Sequence, residues 1–228
     1  MDRDTTARKG AILQILKGLR NRTIDILVGT QIVAKGHDFP NITLVGIICA
    51  DLSLSFPDFR AGERTFQIIA QVAGRAGRGD RPGKVILQTY NPSHFSILSA
   101  KNQDFRTFFK WEIKYRKELN YPPFSRMVQL KIFGKDRGKT ERQALKMGDA
   151  CQGLKQNNRS YSKFVEILGP IEAPLQRIAK QYRWQILLKS LNVKTLHGFI
   201  RQLLFENAVL FSSRHVKVVI DVDPFFMM

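Results

Sequence analysis

The chain has 228 residues, enough for two ordinary domains or one large one, and its 43% apolar content supports a real core. A formal net charge of +18 favours a polyanionic partner, nucleic acid first, with a ribosomal or membrane surface sharing the same electrostatics. No apolar run reaches the length of a membrane span, the first residues lack a signal segment, and Cys49 and Cys151 fit no zinc spacing. These features set aside a membrane protein, a secreted disulfide scaffold and a cysteine metal site, and the expectation is a soluble cytoplasmic protein.

In chain order, Ile12, Ile15, Leu16 and Leu19 recur at helical spacing behind Thr5 or Thr6, either of which would cap the helix. Residues 24–28 predict a strand running into Gly29-Thr30, and residues 44–50 a second, buried strand with Cys49 as a small residue inside it. Phe66, Ile69, Ala70 and Ala73 give one buried helix face. The turn signal Asp80-Arg81-Pro82-Gly83 then leads into a third strand over residues 84–88. Strands alternating with helices predict a parallel, doubly wound α/β sheet, in which ligands gather at the strands' carboxyl ends. Three polar stretches are expected to line one such edge: Gly29-Thr30-Gln31, the loop from Gly36 to Pro40, and Gln71 to Arg78.

Beyond Asn91 the aromatics Phe105, Phe108, Phe109, Trp111 and Tyr115 alternate with cations, as a stacking platform for single strands would. Their helical spacing favours the plainer reading, an amphipathic helix packing its aromatics inward. Tyr121-Pro122-Pro123 ends that helix and divides the chain into residues 1–99, a linker helix over 100–120, and a second domain over 121–228. The charge divides with it: residues 101–228 hold 24 Lys+Arg against 11 Asp+Glu.

The second domain reads as β-α-β-β-α-β. Val128, Leu130 and Ile132 alternate as a strand, a weak helix covers residues 140–155, and residues 164–168 and 184–188 form two further strands. A clear amphipathic helix follows at Val193, Leu196, Ile200, Leu203 and Leu204, then a last strand at Val216, Val218, Ile220 and Val222. This order predicts a split βαβ sandwich with helices on one face. If Trp184, Ile186 and Leu188 point to the helices, Arg183, Gln185 and Lys189 point away, joined by Lys131 and Lys217 from neighbouring strands. That face is either an ordinary solvated surface or, given the charge excess, a docking surface for nucleic acid or a partner.

Two stretches carry chemistry. In Gln71-Val72-Ala73-Gly74-Arg75-Ala76-Gly77-Arg78, Arg75 and Arg78 would share a face if the helix continued, placing two guanidinium forks on a triphosphate. A basic helix end with solvated arginines fits the same spacing. In Gly29-Thr30-Gln31-Ile32-Val33-Ala34-Lys35-Gly36-His37-Asp38-Phe39-Pro40, His37 reads as an exposed loop imidazole, and Lys35 as a phosphate neutraliser or a solvated cation.

The first of these stretches resembles the last signature motif of superfamily 2 helicases, Q-x-x-G-R-x-G-R. The second resembles the G-T-Q-M-x-x-K-G-x-D-F-P form of their motif V, with Ile32 in place of Met. With Asp58-Phe59-Arg60-Ala61-Gly62-Glu63-Arg64, Leu119-Asn120-Tyr121-Pro122-Pro123-Phe124, residues 182–188 and Asp221-Val222-Asp223-Pro224, they form a series similar to the primosomal protein N′ (PriA) family of bacterial replication-restart helicases.

The resemblance implies an α/β fold: part of the second RecA-like helicase lobe with a parallel sheet, followed by a βαββαβ α+β domain similar to a small ribosomal protein. It implies that Arg75 and Arg78 contact the γ-phosphate, Arg78 as the arginine finger, and that Gln71 faces the attacking water. Gly36 and Asp38 would lie at the nucleotide, and Thr30 and Gln31 near the translocating DNA strand. In the second domain Lys131 and Lys217 would serve DNA binding. Lys180, Arg183 and Gln185 would meet the acidic tail of single-stranded-DNA-binding protein.

The implied activity is ATP-dependent 3′→5′ unwinding of forked and single-stranded DNA, with other primosome proteins as partners and no membrane. ATP and Mg²⁺ belong to the complete helicase, and the family's zinc sits in a cysteine-rich insertion absent from this sequence. No G-x-x-x-x-G-K-[ST] loop or D-E-x-H-like motif occurs in these residues, so the chain reads as the C-terminal third of such a helicase, inactive alone as an ATPase. Three other readings stay open: a stand-alone nucleic-acid-binding module, a subunit that completes a helicase in trans, and a truncated product without an independent role.

Overall fold

The computed structural model describes residues 10–30, 42–77 and 82–227. They form two units: the residues up to Phe56 together with Arg60–Glu112, and Pro57–Phe59 together with the residues from Ile113 onward. The chain is mixed α/β, with a two-stranded parallel sheet in the first unit and a four-stranded antiparallel sheet in the second.

The first unit contains α1 (Ala11–Arg20), β1 (Leu44–Ile47), a 3-10 turn (Leu52–Ser55), α2 (Ala61–Ala73), β2 (Lys84–Leu87), α3 (Phe95–Lys101) and the start of α4 (Phe105–Glu118). β1 and β2 pair in parallel from Leu44 opposite Lys84 to Ile47 opposite Leu87, and α2 lies between them in the chain as a crossover helix. Phe66 and Ile69 of α2 meet Ile97 and Ala100 of α3 and Phe108 of α4, with Ile47 and Leu87 packed against them. Phe66 stacks on Phe108 with ring centroids 4.4 Å apart.

Four expectations for this unit are corrected. Residues 24–28 form no strand; Ile26 is 80% and Val28 76% exposed, so neither gains a buried face by extending there. β1 ends at Ile47, and Cys49 sits half-exposed in a left-handed turn (φ 51°) instead of inside a buried strand. In α4 only Phe108 and Glu112 are buried, whereas Phe105 and Phe109 are 60% and 52% exposed. Phe108 and Glu112 are one helical turn apart on the inward stripe, and Phe105 and Phe109 flank it on a parallel stripe. The residue before α1 is Gly10 (φ 89°), which offers no side-chain cap; Thr5 and Thr6 lie outside the described residues.

The second unit runs β3 (Arg126–Gly134), α5 (Arg137–Gln156), α6 (Arg159–Phe164), β4 (Val165–Ile178), β5 (Gln181–Ser190), α7 (Val193–Glu206), α8 (Ala208–Phe211) and β6 (Val216–Val222). The sheet order is β4-β5-β3-β6, which is the split βαβ arrangement with two short added helices. Val128, Leu130 and Ile132 of β3 and Ile186 and Leu188 of β5 join Met147 and Cys151 of α5 and Leu196, Phe199 and Leu203 of α7 in one core. Side-chain caps start the helices: Asp136 Oδ1 accepts from Lys139 N at 2.7 Å, and Asn192 Oδ1 from Thr195 N at 3.1 Å.

The other face of this sheet is split. Met127 and Leu187 are buried with Met227, and Phe59 and Tyr121 pack against them. Phe59 and Tyr121 stack at 5.1 Å, and Met227 N donates to Asp58 Oδ2 at 3.4 Å, fastening the Pro57–Phe59 segment and the C-terminal residues to the unit. The rest of the face carries Lys131, Phe133, Arg183 and Lys217.

Candidate functional site

The helix carrying Gln71 does not reach the second arginine. α2 ends at Ala73, Gly74 N donates to Ala70 O at 3.1 Å, and Arg75 N and Ala76 N close turns onto Val72 O and Ala73 O at 3.0 and 3.2 Å. Gly77 then adopts φ 77°, so the helix does not continue from Arg75 through Gly77. Gln71 is exposed and Arg75 half-exposed; Arg78 lies outside the described residues.

Gly77 N donates to Ile42 O at 3.0 Å, and Lys84 N to Thr43 O at 2.8 Å. The end of the arginine stretch is therefore fastened to the residue that follows the Gly29–Pro40 stretch by two positions. The junction is tight: a Cβ on Gly83 would fall 2.1 Å from Gly77 N, and one on Gly77 would fall 2.9 Å from Gly83 N, so the two strands of chain cross only as glycines. The edge involved is the amino edge of β1 and β2, where the sequence pointed to the carboxyl edge. α2 carries the chain back from the end of β1 to the start of β2, so whatever follows it must lie at the strand starts. Thr30 is exposed; Gln31, Gly36 and Asp38, with Lys35 and His37, lie outside the described residues.

The carboxyl edge has its own fastening, with no signal in the sequence beyond an acid after a strand. Asp51 Oδ2 accepts from the amides of Tyr90 at 2.8 Å and Asn91 at 3.0 Å, tying the turn after β1 to the turn after β2. Desolvation pushes this carboxyl up, but hydrogen bonds from its own backbone, Tyr90, Thr89 and Asn91 together hold it below the usual range.

In the second unit the register places Arg183 opposite Phe133 and Phe133 opposite Lys217, a cation–aromatic–cation row across β5, β3 and β6. Lys217 Nζ stands 5.8 Å from the Phe133 ring centroid. Phe133 was legible as a member of this face, two positions beyond Lys131, yet its place between two cations required the strand order. Lys131 is ion-paired with Asp221 at 2.5 Å with a quarter of its side chain exposed, so part of its charge is already met. Gln185 is 8% exposed and its Oε1 accepts from Gln129 Nε2 at 2.6 Å; little of it faces a partner. Lys189 is likewise buried, paired with Glu166 at 2.9 Å and lying over the Tyr121 ring. Lys180 is exposed at the tip of the β4–β5 hairpin, where Ala179 and Lys180 both take positive φ. The structure thus groups Arg183 with Lys217 and Phe133, and sets Gln185 apart from Lys180. Among the described residues no group of three His, Cys, Asp or Glu side chains is placed to hold a metal ion, and no helix is long and apolar enough to cross a membrane.

A parallel β-α-β segment with a glycine-bounded arginine turn, followed by a split βαβ domain, fits a helicase second lobe followed by an accessory domain. Comparison with known proteins agrees: residues 4–80 match the helicase conserved C-terminal domain and residues 117–225 the primosomal protein N C-terminal domain. The chain is 41% identical over 228 residues to the replication restart protein PriA of Bacillus subtilis and 41% identical over 224 residues to that of Synechocystis. It is 36% identical over 224 residues to that of Haemophilus influenzae. It spans 28%, 26% and 30% of the lengths of these three relatives. The chain carries the helicase conserved C-terminal domain and the primosomal protein N C-terminal domain, and corresponds to the C-terminal part of replication restart proteins PriA.

Proposed function

We propose that this chain is the C-terminal part of an ATP-dependent 3′→5′ DNA helicase, one that recognises and remodels stalled forks so that a primosome assembles and replication restarts. The observation that supports the reading is the Gly77 N–H bond to Ile42 O, which fastens the arginine turn to the residue two positions past the Gly29–Pro40 stretch, at the edge where the strands start. Around that edge Gln71, Arg75 and Arg78 would face the triphosphate, Gly36 and Asp38 the nucleotide, and Thr30 and Gln31 the DNA strand. Phosphoryl transfer is accelerated largely by positive charge placed on the transferring group, which is what paired arginines supply. The ATP and Mg²⁺ they act on would be held by a first lobe carrying the phosphate-binding loop.

The second unit binds DNA in this reading by charge and stacking, through Lys217, Lys131 and Arg183 around Phe133. Lys180 and Arg183 at the hairpin end are the contacts for the acidic tail of single-stranded-DNA-binding protein, and the protein works in the cytoplasm at the nucleoid. The test is binding of the chain to single-stranded, duplex and forked DNA across a salt series, with ATP hydrolysis followed in the same samples. Fork-selective binding that weakens with salt is expected, without hydrolysis. Hydrolysis then emerges on addition of a first-lobe polypeptide and is lost in Arg75→Ala and Arg78→Ala. No binding at low salt would overturn the DNA reading, and hydrolysis by the chain alone would overturn the division of labour between lobes.

A further inference from the structure

A cleft of about 200 Å³ opens on the second unit between the first half of α5 and the segment leading into β6. Lys139, Arg142, Gln143 and Lys146 line one side, and Ser213 and His215 the other. The α5 residues follow the i, i+3, i+4, i+7 pattern of a single helix face, and Glu141 falls on the other side of the helix. Among the described residues Lys139, Arg142, Lys146, Arg214 and His215 form no ion pair, whereas Lys131, Arg137 and Lys189 of the same unit each meet a carboxylate. From Asn207 to Ile220 the chain contains no acidic residue. Asp136 at the helix start is taken up by the Lys139 amide, so three exposed cations stand side by side with none in an ion pair, a site whose missing member is an anion.

The polar groups between the cations are already oriented. Gln143 Nε2 donates to Leu210 O at 2.6 Å, fixing the wall of the cleft. Ser213 Oγ accepts the His215 amide at 3.4 Å, which leaves the hydroxyl proton to be donated elsewhere. Val216 is the one apolar side chain in the lining, so the cleft has nothing with which to hold the side chains of a peptide.

We propose that this cleft seats the sugar-phosphate backbone of a DNA strand, with Lys139, Arg142 and Lys146 donating to successive phosphates. Seven residues of helix rise span about 10 Å, roughly the axial length of three nucleotides at 3.4 Å each. The proposal rests on the DNA-binding reading above and adds a phosphate seat on the helix side of β6, separate from the row on the open sheet face. Lys217 of β6 follows by two residues His215, which lies just before the strand, so the two surfaces meet at the start of that edge strand.

The experiment compares the whole chain with Lys139→Gln/Arg142→Gln/Lys146→Gln and, separately, with Arg183→Gln/Lys217→Gln, by anisotropy of labelled single-stranded and forked DNA across a salt series. All five substituted positions are exposed or half-exposed, and unchanged thermal unfolding confirms that each variant is folded. The triple variant is expected to bind about ten-fold or more weakly at low salt, with the slope of log affinity against log salt reduced by about two, since each phosphate contact on a single strand contributes about 0.7. Restoring Lys146→Arg in place of the Gln should return about one third of that slope. If the original chain binds DNA and the triple variant binds with the same slope, the cleft is not a phosphate seat and DNA binding belongs elsewhere. If the original chain binds no DNA, the underlying reading fails and the proposal with it. If the triple variant loses binding to a poly-glutamate peptide but not to DNA, the occupant is an acidic protein segment and the proposal is overturned.

Discussion

Gln129 of β3 and Gln185 of β5 are diagonal neighbours, Gln129 lying opposite Leu187 and Gln185 opposite Lys131, where almost no solvent reaches, at 1% and 8% exposure. Gln129 Nε2 has found an acceptor in Gln185 Oε1, while Gln129 Oε1 is buried without a donor. An unmade hydrogen bond in a buried place costs more than a made one gains. Gln185→Leu, which strands the Gln129 amide, is expected to cost about 1–3 kcal/mol, read as a lower urea midpoint by circular dichroism. Adding Gln129→Leu removes the stranded group and should return stability to within about 1 kcal/mol of the original. A double variant no more stable than the single would show that the pair does more than satisfy itself. Strand alternation was enough to place Gln185 on the face away from the helices. Its burial was not legible, because its hydrogen-bond partner Gln129 is 56 residues away in the chain, and local periodicity carries no information about such contacts.

At the scale of elements, α4 begins on a side-chain cap. Asp104 Oδ1 accepts from Thr107 N at 3.0 Å, one helical turn on. Hydrogen bonds from the Thr107 side chain and amide are the leading causes that hold the Asp104 carboxyl below its ordinary value. A folded-state value below the unfolded one means that the cap's contribution is present above the ordinary carboxylate range and lost as pH falls through the depressed value. Amide exchange at Thr107 should therefore be slow near neutrality and quicken in acid beyond its intrinsic pH dependence. Asp104→Asn, still a good cap, should keep the protection and lose the extra acid sensitivity; Asp104→Ala should lose both. Equal pH profiles in all three chains would sink the idea.

β4 shows where element reading stops. Gly169-Pro170 reads as a strand end, so the sequence closes the strand at Leu168, yet β4 continues to Ile178. It does so as an edge strand with register shifts between Leu168 and Ile171 and between Glu172 and Arg177, the one setting in which Pro170 and Pro174 are tolerated. Its hairpin turn also lacks the usual Asn-Gly signal, because Ala179 and Lys180 take the positive φ values instead.

Across the whole molecule the two units differ in how much of their sheet is covered. β3 and β5 run through a continuous core, while β1 and β2 are four residues each and mostly open, with Ile86 in β2 and Ile48 just after β1 exposed. A small apolar core offsets less of the entropy of ordering the chain, so the first unit is expected to open at lower denaturant. Each unit carries one cysteine as its reporter. Cys49 is half-exposed in a turn, whereas Cys151 is buried in the second core, where burial pushes its thiol up to about 12 and leaves almost no thiolate at neutral pH. With a disulfide reagent at pH 7.5, Cys49 should react in the native chain within the dead time of ordinary mixing or soon after, and Cys151 only at urea concentrations that unfold the second unit. Limited proteolysis should follow the same order, cutting the first unit while the second survives as a fragment. Loss of the C-terminal half first, or labelling of Cys151 in step with Cys49, would mean that the chain unfolds as one cooperative body and that the coverage of the sheets does not set the order of opening.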